Sequence, residues 1–495
     1  MNIIDNDLLS IQEARILAEN ACEAQKKLAT FSQKKLDEIV ECMAEEVEKY
    51  ARELAMMSCD ETDYGKWQDK YIKNRFVCKH LRESLKEMCC VGIICENREK
   101  KTMDIGVPMG VIVALCPATS PVSTTIYKAM IAIKAGNAII FSPHPRAKNT
   151  IAKALDIMIS AAERCGLPEG ALSYLHLVTL GGTNELLNHN ATSLIINTGV
   201  PSMIKSIKNS GKPVIYGGNG NGPAFIERTA DIGQAVRDII SSKTFDYGIV
   251  SAAEQSVVVD RCIAAEVKLE FQNNGAHFLT EEEAQKLWPL FSRADSSIDP
   301  EMIGKSAQEL AKRAGFCVPD GVTVLISEQK NIYHSNSHSK EKLCPVLDYY
   351  VENDWMHACE KCIELLISER NGHTLVIHSN DEDVIRQFAL KKPVARVLVN
   401  TPATFGSMGA TTSLFPAMTL GSGSAGVGIT TDNVSPMNLI YIRKVGYSVR
   451  KAEEFTNGEI TGKKYSINNT EQHSMFKLED LEMLQRILKN TLGGF

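Results

Sequence analysis

Gly110 to Ser142 reads "GVIVALCPATSPVSTTIYKAMIAIKAGNAIIFS". Gly110–Cys116 is a short apolar run rich in branched side chains, the pattern of a buried strand. "PATSP" is a turn. Val122–Ala135 has the length of a helix and stops at Gly136. Asn137–Ser142 is a strand again. Buried strands joined through a helix are the unit of a parallel sheet.

The same grammar continues outward. Ala147–Gly166 is a helix with a glycine stop, and "LSYLHLV", "TSLIINTG" and "KPVIYGG" are further strands. The series predicts an α/β protein with a mostly parallel, doubly wound sheet. A second α/β series runs from about 228 to 430, with strands that include "SVVVD", "VTVLIS", "HTLVIH" and "ARVLVN". Residues 8–60 carry helical periodicity, with Leu17, Ala21, Leu28, Leu36, Ile39 and Met43 as candidate buried positions. "ENREKKTMDIGVP" (96–108) and "SPMNLIYIRKVGYSV" (435–449) read as extended arms. After 453 a polar linker leads into an amphipathic helix with Leu478, Leu481, Leu484, Leu488 and Leu492 on one side.

A chain of 495 residues suggests two or three domains. Its 44% hydrophobic and 23% charged content is that of a soluble globular protein. A net charge of −6 offers no general basic field for nucleic acid. No apolar run reaches membrane-spanning length, and the N-terminal residues lack the pattern of a signal peptide. The fourteen cysteines follow no disulfide-framework spacing and read as reduced thiols of a cytoplasmic protein. Cys359 and Cys362 form a lone C-x-x-C without a second ligand pair, so no metal site is expected.

Two strand–turn–helix segments are phosphate-competent: "FSPHPRAK", with Ser142, His144 and Arg146, and "IINTGVPSMIK", with Thr198 and Gly199. Taken alone, they are equally well two ordinary βα loops with a solvated arginine. A third segment, "KTFDYGIVSAAEQSVVV" (243–259), places Ser251 in a turn of small residues before a strand, where a nucleophile would be open to a substrate. No histidine stands near it in sequence to activate it.

Together with "CPATSPVSTTIYK", "EKLCPVL", "NGHTLVIHS", "NTPATFG" and "LGSGSAGVG", these segments resemble the aldehyde dehydrogenase superfamily, most closely its CoA-acylating branch, over residues 10–450. The resemblance implies a Rossmann-like cofactor domain for NAD and CoA (1–95 and 109–227) and an α/β catalytic domain (228–430). It also implies an arm (96–108 and 431–452) that builds homodimers or homotetramers. The activity implied is oxidation of a short-chain aldehyde, such as acetaldehyde or propionaldehyde, to acyl-CoA with NAD⁺ through a covalent acyl-enzyme. Ser251 stands where the family carries its cysteine nucleophile, either as an engineered change or as natural divergence. A serine hydroxyl does not ionise near neutral pH as a thiol does, so an impaired or inactive nucleophile is expected. The competing reading is a non-catalytic binding or assembly protein on the same fold.

The remaining correspondences are drawn residue by residue. Gly217 falls where hydrolytic members carry a general-base glutamate, which favours a thiol acceptor over water. Glu341 matches the glutamate that holds the nicotinamide ribose. Thr119 takes the place of an oxyanion-binding asparagine. Ser142 replaces a lysine that contacts the adenosine ribose. His373 matches a histidine usual in the branch, and a core hydrogen-bonding role suits it equally. Val200 and Tyr247 depart from the branch's usual glycine and asparagine. One set of phosphate-competent turns implies that NAD and CoA share one cleft. The tail from 453 resembles the peptides that direct enzymes into bacterial microcompartments, with a shell protein as partner; docking on its own subunit is the alternative.

Overall fold

The strand–turn–helix–strand stretch forms as the sequence dictates. Val111–Leu115 (β3) and Ala138–Ser142 (β4) are buried throughout, and the helix Pro121–Lys134 between them has no exposed residue. They follow an arm hairpin, Gly92–Asn97 (β1) and Thr102–Pro108 (β2). The computed structural model describes residues 5–218, 220–291, 298–332, 341–368 and 373–456. The expected amphipathic helix at 475–495 therefore lies outside the described residues.

Leu172–Tyr174 (β5), Thr192–Thr198 (β6) and Val214–Gly217 (β7) complete a five-stranded parallel sheet of order β5-β4-β3-β6-β7. The strand expected over "LSYLHLV" stops at Tyr174, because the N–H groups of His176 and Leu177 turn to the Glu13 carboxylate instead of a strand. The helical N-terminal segment resolves into Asn6–Leu28, Gln33–Lys49 and Ala51–Thr62. Ala21, Leu28, Leu36, Ile39 and Met43 are buried there, and Leu17 is half-buried.

The second sheet has seven strands: Pro223–Ile226 (β8), Ser256–Asp260 (β9), Ala276–Phe278 (β10), Val324–Glu328 (β11), Val346–Glu352 (β12), Thr374–His378 (β13) and Arg396–Val399 (β14). Its order is β10-β11-β12-β9-β8-β13-β14, parallel throughout. Ile440–Gly446 (β15) joins the arm hairpin in a three-stranded sheet, β1-β2-β15. Residues 1–96 with 103–445 make one compact unit; 97–102 with residues from 446 on make a second. Within the second, Tyr447 N donates to Lys101 O at 3.1 Å. Among the described residues no helix is long and apolar enough to cross a membrane.

One expectation is corrected. Cys42, on the helix Gln33–Lys49, is disulfide-bonded to Cys165, which caps the helix Lys148–Arg164. The two cysteines lie 123 residues apart and meet only because those helices pack together, so spacing in the sequence could not reveal the pair. Twelve cysteines are free, Cys359 and Cys362 among them on the buried side of the helix Trp355–Ser368. Among the described residues no group of three or more metal-ligating side chains is gathered.

Candidate active site

The order of the first sheet reverses between β3 and β6. In open parallel sheets the crevice outside the strand ends at such a reversal is where ligands bind. The two loops that leave β3 and β6 carry Thr119 and Thr198–Gly199, and both line a cavity of about 530 Å³. Lys128 braces the two strand ends. Its Nζ donates to Leu115 O at 2.6 Å and Ile196 O at 3.2 Å, and burial pushes its pKa down to about 8.

The second sheet meets the same cavity with the opposite ends of its strands. Residues just before β9, β8, β12 and β13 supply Ser251, Gly220, Glu341 and His373. These four strands are adjacent, in the order β12-β9-β8-β13. Ser251 and Glu341 line the cavity. The Glu341 carboxylate is 6% exposed and accepts from Gly220 N at 2.8 Å. His144 and Arg146, after β4, line the cavity's far side. Arg146 Nη1 donates to Tyr64 Oη at 3.0 Å, and its backbone N–H donates to His144 Nδ1 at 3.1 Å. Burial, then the Arg146 charge, lowers the His144 pKa. Ser142 does not reach the cavity: it is 4% exposed and hydrogen-bonded to Thr183 Oγ1 at 2.8 Å. Val200 is not among the cavity-lining residues and packs against the core of the first sheet.

Ser251 has a base. His373 Nε2 lies 3.3 Å from Ser251 Oγ, and His373 Nδ1 lies 2.8 Å from Thr374 Oγ1. No histidine stands near Ser251 in sequence, and it is the fold that brings His373 to it. The two residues are 122 apart in sequence, but β9 and β13 both flank β8. The glycine-rich segment ahead of β8 permits the approach. A Cβ on Gly220 would sit 1.4 Å from Ser251 O, and one on Gly222 2.5 Å from Thr374 O. His373 is buried, and desolvation, with a smaller contribution from Arg396, pushes its pKa down to about 3. The imidazole is therefore neutral at physiological pH, and the same burial makes it a weak base.

A model of the aldehyde dehydrogenase family matches residues 5–296. This chain belongs to that family. It is 32% identical to the succinate-semialdehyde dehydrogenase (acetylating) of Clostridium kluyveri over 92% of this chain and 99% of that protein. It is 35% identical to the bifunctional aldehyde-alcohol dehydrogenase AdhE of Escherichia coli K12 over 87% of this chain and 49% of that protein. The chain thus spans about half the length of the first curated relatives it matches. Among solved structures it resembles a probable aldehyde dehydrogenase of Listeria monocytogenes EGD-e (TM-score 0.89, 47% identity, 91% of this chain and 100% of that one). It also resembles a propionaldehyde dehydrogenase from a fucose-utilisation bacterial microcompartment of Clostridium phytofermentans (TM-score 0.79, 26% identity, 88% and 97%).

This aldehyde dehydrogenase family member has a further feature that its sequence conceals. The loop before Ser251 holds Asp246 and Tyr247 in left-handed backbone conformations, φ 50° and 54°. Asp246 Oδ2 accepts from two buried lysines on the helix Trp67–Phe76, Lys70 at 3.0 Å and Lys73 at 2.6 Å. Lys70 Nζ also donates to Thr119 O at 2.9 Å, and Lys73 Nζ to Ser120 Oγ at 2.6 Å. One helix therefore ties the Thr119 turn to the Ser251 loop. The signal was present as two lysines at i and i+3, but only the packed structure shows that they share a carboxylate.

Proposed function

We propose that this chain is built as a CoA-acylating aldehyde dehydrogenase for a short-chain aldehyde, with NAD⁺ and CoA, and that Ser251 impairs that reaction. The observation that carries the reading is that Ser251, Thr119 and Glu341 line one cavity together with Gly217, which brings no carboxylate to activate water. The donor set fits the cofactor. Glu341 is a buried carboxylate suited to ribose hydroxyls, and Arg146 offers a guanidinium to phosphate. NAD⁺, when bound, supplies the hydride acceptor. Ser251 Oγ adds to the aldehyde carbon, His373 Nε2 stands 3.3 Å from it as a weak base that activates the hydroxyl poorly, and Thr119 faces the same cavity as the developing oxyanion. The limiting step is acyl transfer to CoA. An oxygen ester on serine is a weaker acyl donor to a thiol than the thioester a cysteine would carry.

The test is Ser251→Cys with acetaldehyde or propionaldehyde plus CoA. NADH formation is expected to rise at least about tenfold over the unaltered chain. A cysteine variant that stays inactive across short aldehydes would overturn the reading. The microcompartment relative supports a shell protein as partner of the tail. Residues 470–495 fused to a fluorescent reporter are expected to gather in foci when shell proteins are co-expressed, and diffuse fluorescence would count against it.

A further inference from the structure

We infer that Cys359 and Lys392 form a redox-modification site, at which peroxide oxidation of the Cys359 sulfur is captured by the Lys392 amine as a reversible S–N crosslink. The C-x-x-C of the sequence, Cys359 and Cys362, lies on the buried side of the helix Trp355–Ser368 and does not line the cavity that holds Ser251. Lys392 reaches it from the link between the helix Glu382–Leu390 and β14. Lys392 Nζ lies 2.6 Å from Cys359 Sγ and donates to Cys359 O at 3.1 Å. The hydrogen bonds of other cysteines, Cys59, Cys89, Cys116 and Cys262, span 3.5–3.8 Å. Among the described residues those two atoms of Cys359 are the hydrogen-bond partners of the Lys392 amine, and the Phe388 ring centroid lies 3.6 Å from it. A buried lysine ordinarily pairs with a carboxylate. This one is paired with a thiol.

The amine is the nucleophile at hand for an oxidised Cys359. Cys362 is buried as well, and desolvation pushes its thiol up to about 12, so it stays protonated and resolves poorly to a disulfide. In the first step Cys359 Sγ bonds to one peroxide oxygen and the O–O bond breaks. The departing oxygen takes the thiol proton and leaves as water. Sulfur has given two electrons to the peroxide and is now a sulfenic acid. In the second step the lone pair of the neutral Lys392 amine attacks Sγ and the S–O bond breaks. The leaving hydroxide takes a proton from the nitrogen and departs as a second water. Thiol, amine and peroxide thus become a sulfenamide and two waters, with no further oxidation in the second step. Two small thiols reverse it: they leave as a disulfide, and the cysteine thiol and lysine amine return. The S–N bond ties the helix Trp355–Ser368 to the chain that enters β14, 33 residues on. Cys359 is 0% and Lys392 9% exposed, so the pair sits just beneath the surface, where peroxide fits and a bulky oxidant does not.

The experiment treats the full chain with hydrogen peroxide and maps its tryptic peptides by mass spectrometry. Trypsin cuts at Lys361, between the two cysteines, so their peptides separate. A linked pair carrying Cys359 and Lys392, lighter than its parts by two hydrogens, is expected, and a thiol reductant should abolish it. Cys362→Ala should still form the link. Lys392→Arg keeps the charge and removes the amine, so the sulfenic acid is no longer captured. Dimedone labelling of Cys359 during peroxide treatment is expected to rise at least about tenfold in that variant. Both variants are read beside their thermal unfolding curves, and the peptide map of the unaltered chain stands without them. A Cys359–Cys362 disulfide, a sulfinic acid on Cys359 without the link, or an unmodified Cys359 when the exposed Cys262 is oxidised would overturn the inference.

Discussion

His373 is where a side chain's environment changes what it can do. Burial holds His373, just before β13, at a pKa of about 3 and His378, at the end of that strand, at about 4. Both lie below the ordinary imidazole value of about 6.5. The folded protein therefore binds fewer protons than the unfolded chain between those limits. Their contribution to stability is complete above about pH 6.5 and is lost as pH falls toward the folded values. The melting temperature is expected to drop between pH 6.5 and 5, before most carboxylates titrate, and His378→Leu should flatten that slope. A level melting temperature across the window would contradict buried neutral imidazoles. The same shift makes His373 a weak base.

At the level of elements, the helix Trp67–Phe76 holds the site's two loops together. Lys70 and Lys73 are 3% and 1% exposed, and Asp246, which accepts from both, is fully buried. Desolvation pushes Lys73 down to about 8, and its ammonium is kept at neutral pH. Removing one charge from a buried cluster leaves the others uncompensated. Asp246→Asn is expected to cost about 3–5 kcal/mol, measured by chemical denaturation. A loss below about 1 kcal/mol would mean that the cluster is hydrated. The strands not read from the sequence were hidden for two reasons. Val346–Glu352 carries Asp348 inside the strand, and that acidic residue hides the apolar run; in the fold it pairs with Lys342 at 2.9 Å. Pro223–Ile226 and Ala276–Phe278 are too short for periodicity to register.

Across the whole molecule, the cavity that holds Ser251 also holds Arg146, His144 and Glu341. NAD⁺ and CoA are therefore expected to compete, with NAD⁺ analogues competitive against CoA in inhibition kinetics. Simultaneous saturable binding of both by calorimetry would contradict this. The arm strands expose apolar side chains, Ile93 at 61%, Tyr441 at 56% and Ile442 at 45%. A sheet edge of this kind is a liability unless covered, and a second copy is the economical cover. Light scattering is expected to give a dimer or tetramer, and Tyr441→Lys with Ile442→Lys to lower the mass; a monomer at micromolar concentration would argue against it.

The sequence by itself determined the parallel α/β architecture. Buried strands such as Val111–Leu115 and Ala138–Ser142, and the helix between them, are written in local apolar runs and glycine stops that need no distant partner. It also marked Ser251 and Arg146 by the turns they sit in, and Thr119 and Glu341 through the family resemblance of their segments. Tertiary structure alone decided that His373 stands beside Ser251, that Lys70 and Lys73 share Asp246, and that Cys42 meets Cys165. Each of these contacts joins residues more than a hundred positions apart. Strand order and helix packing set those distances, and no local pattern of residues encodes them.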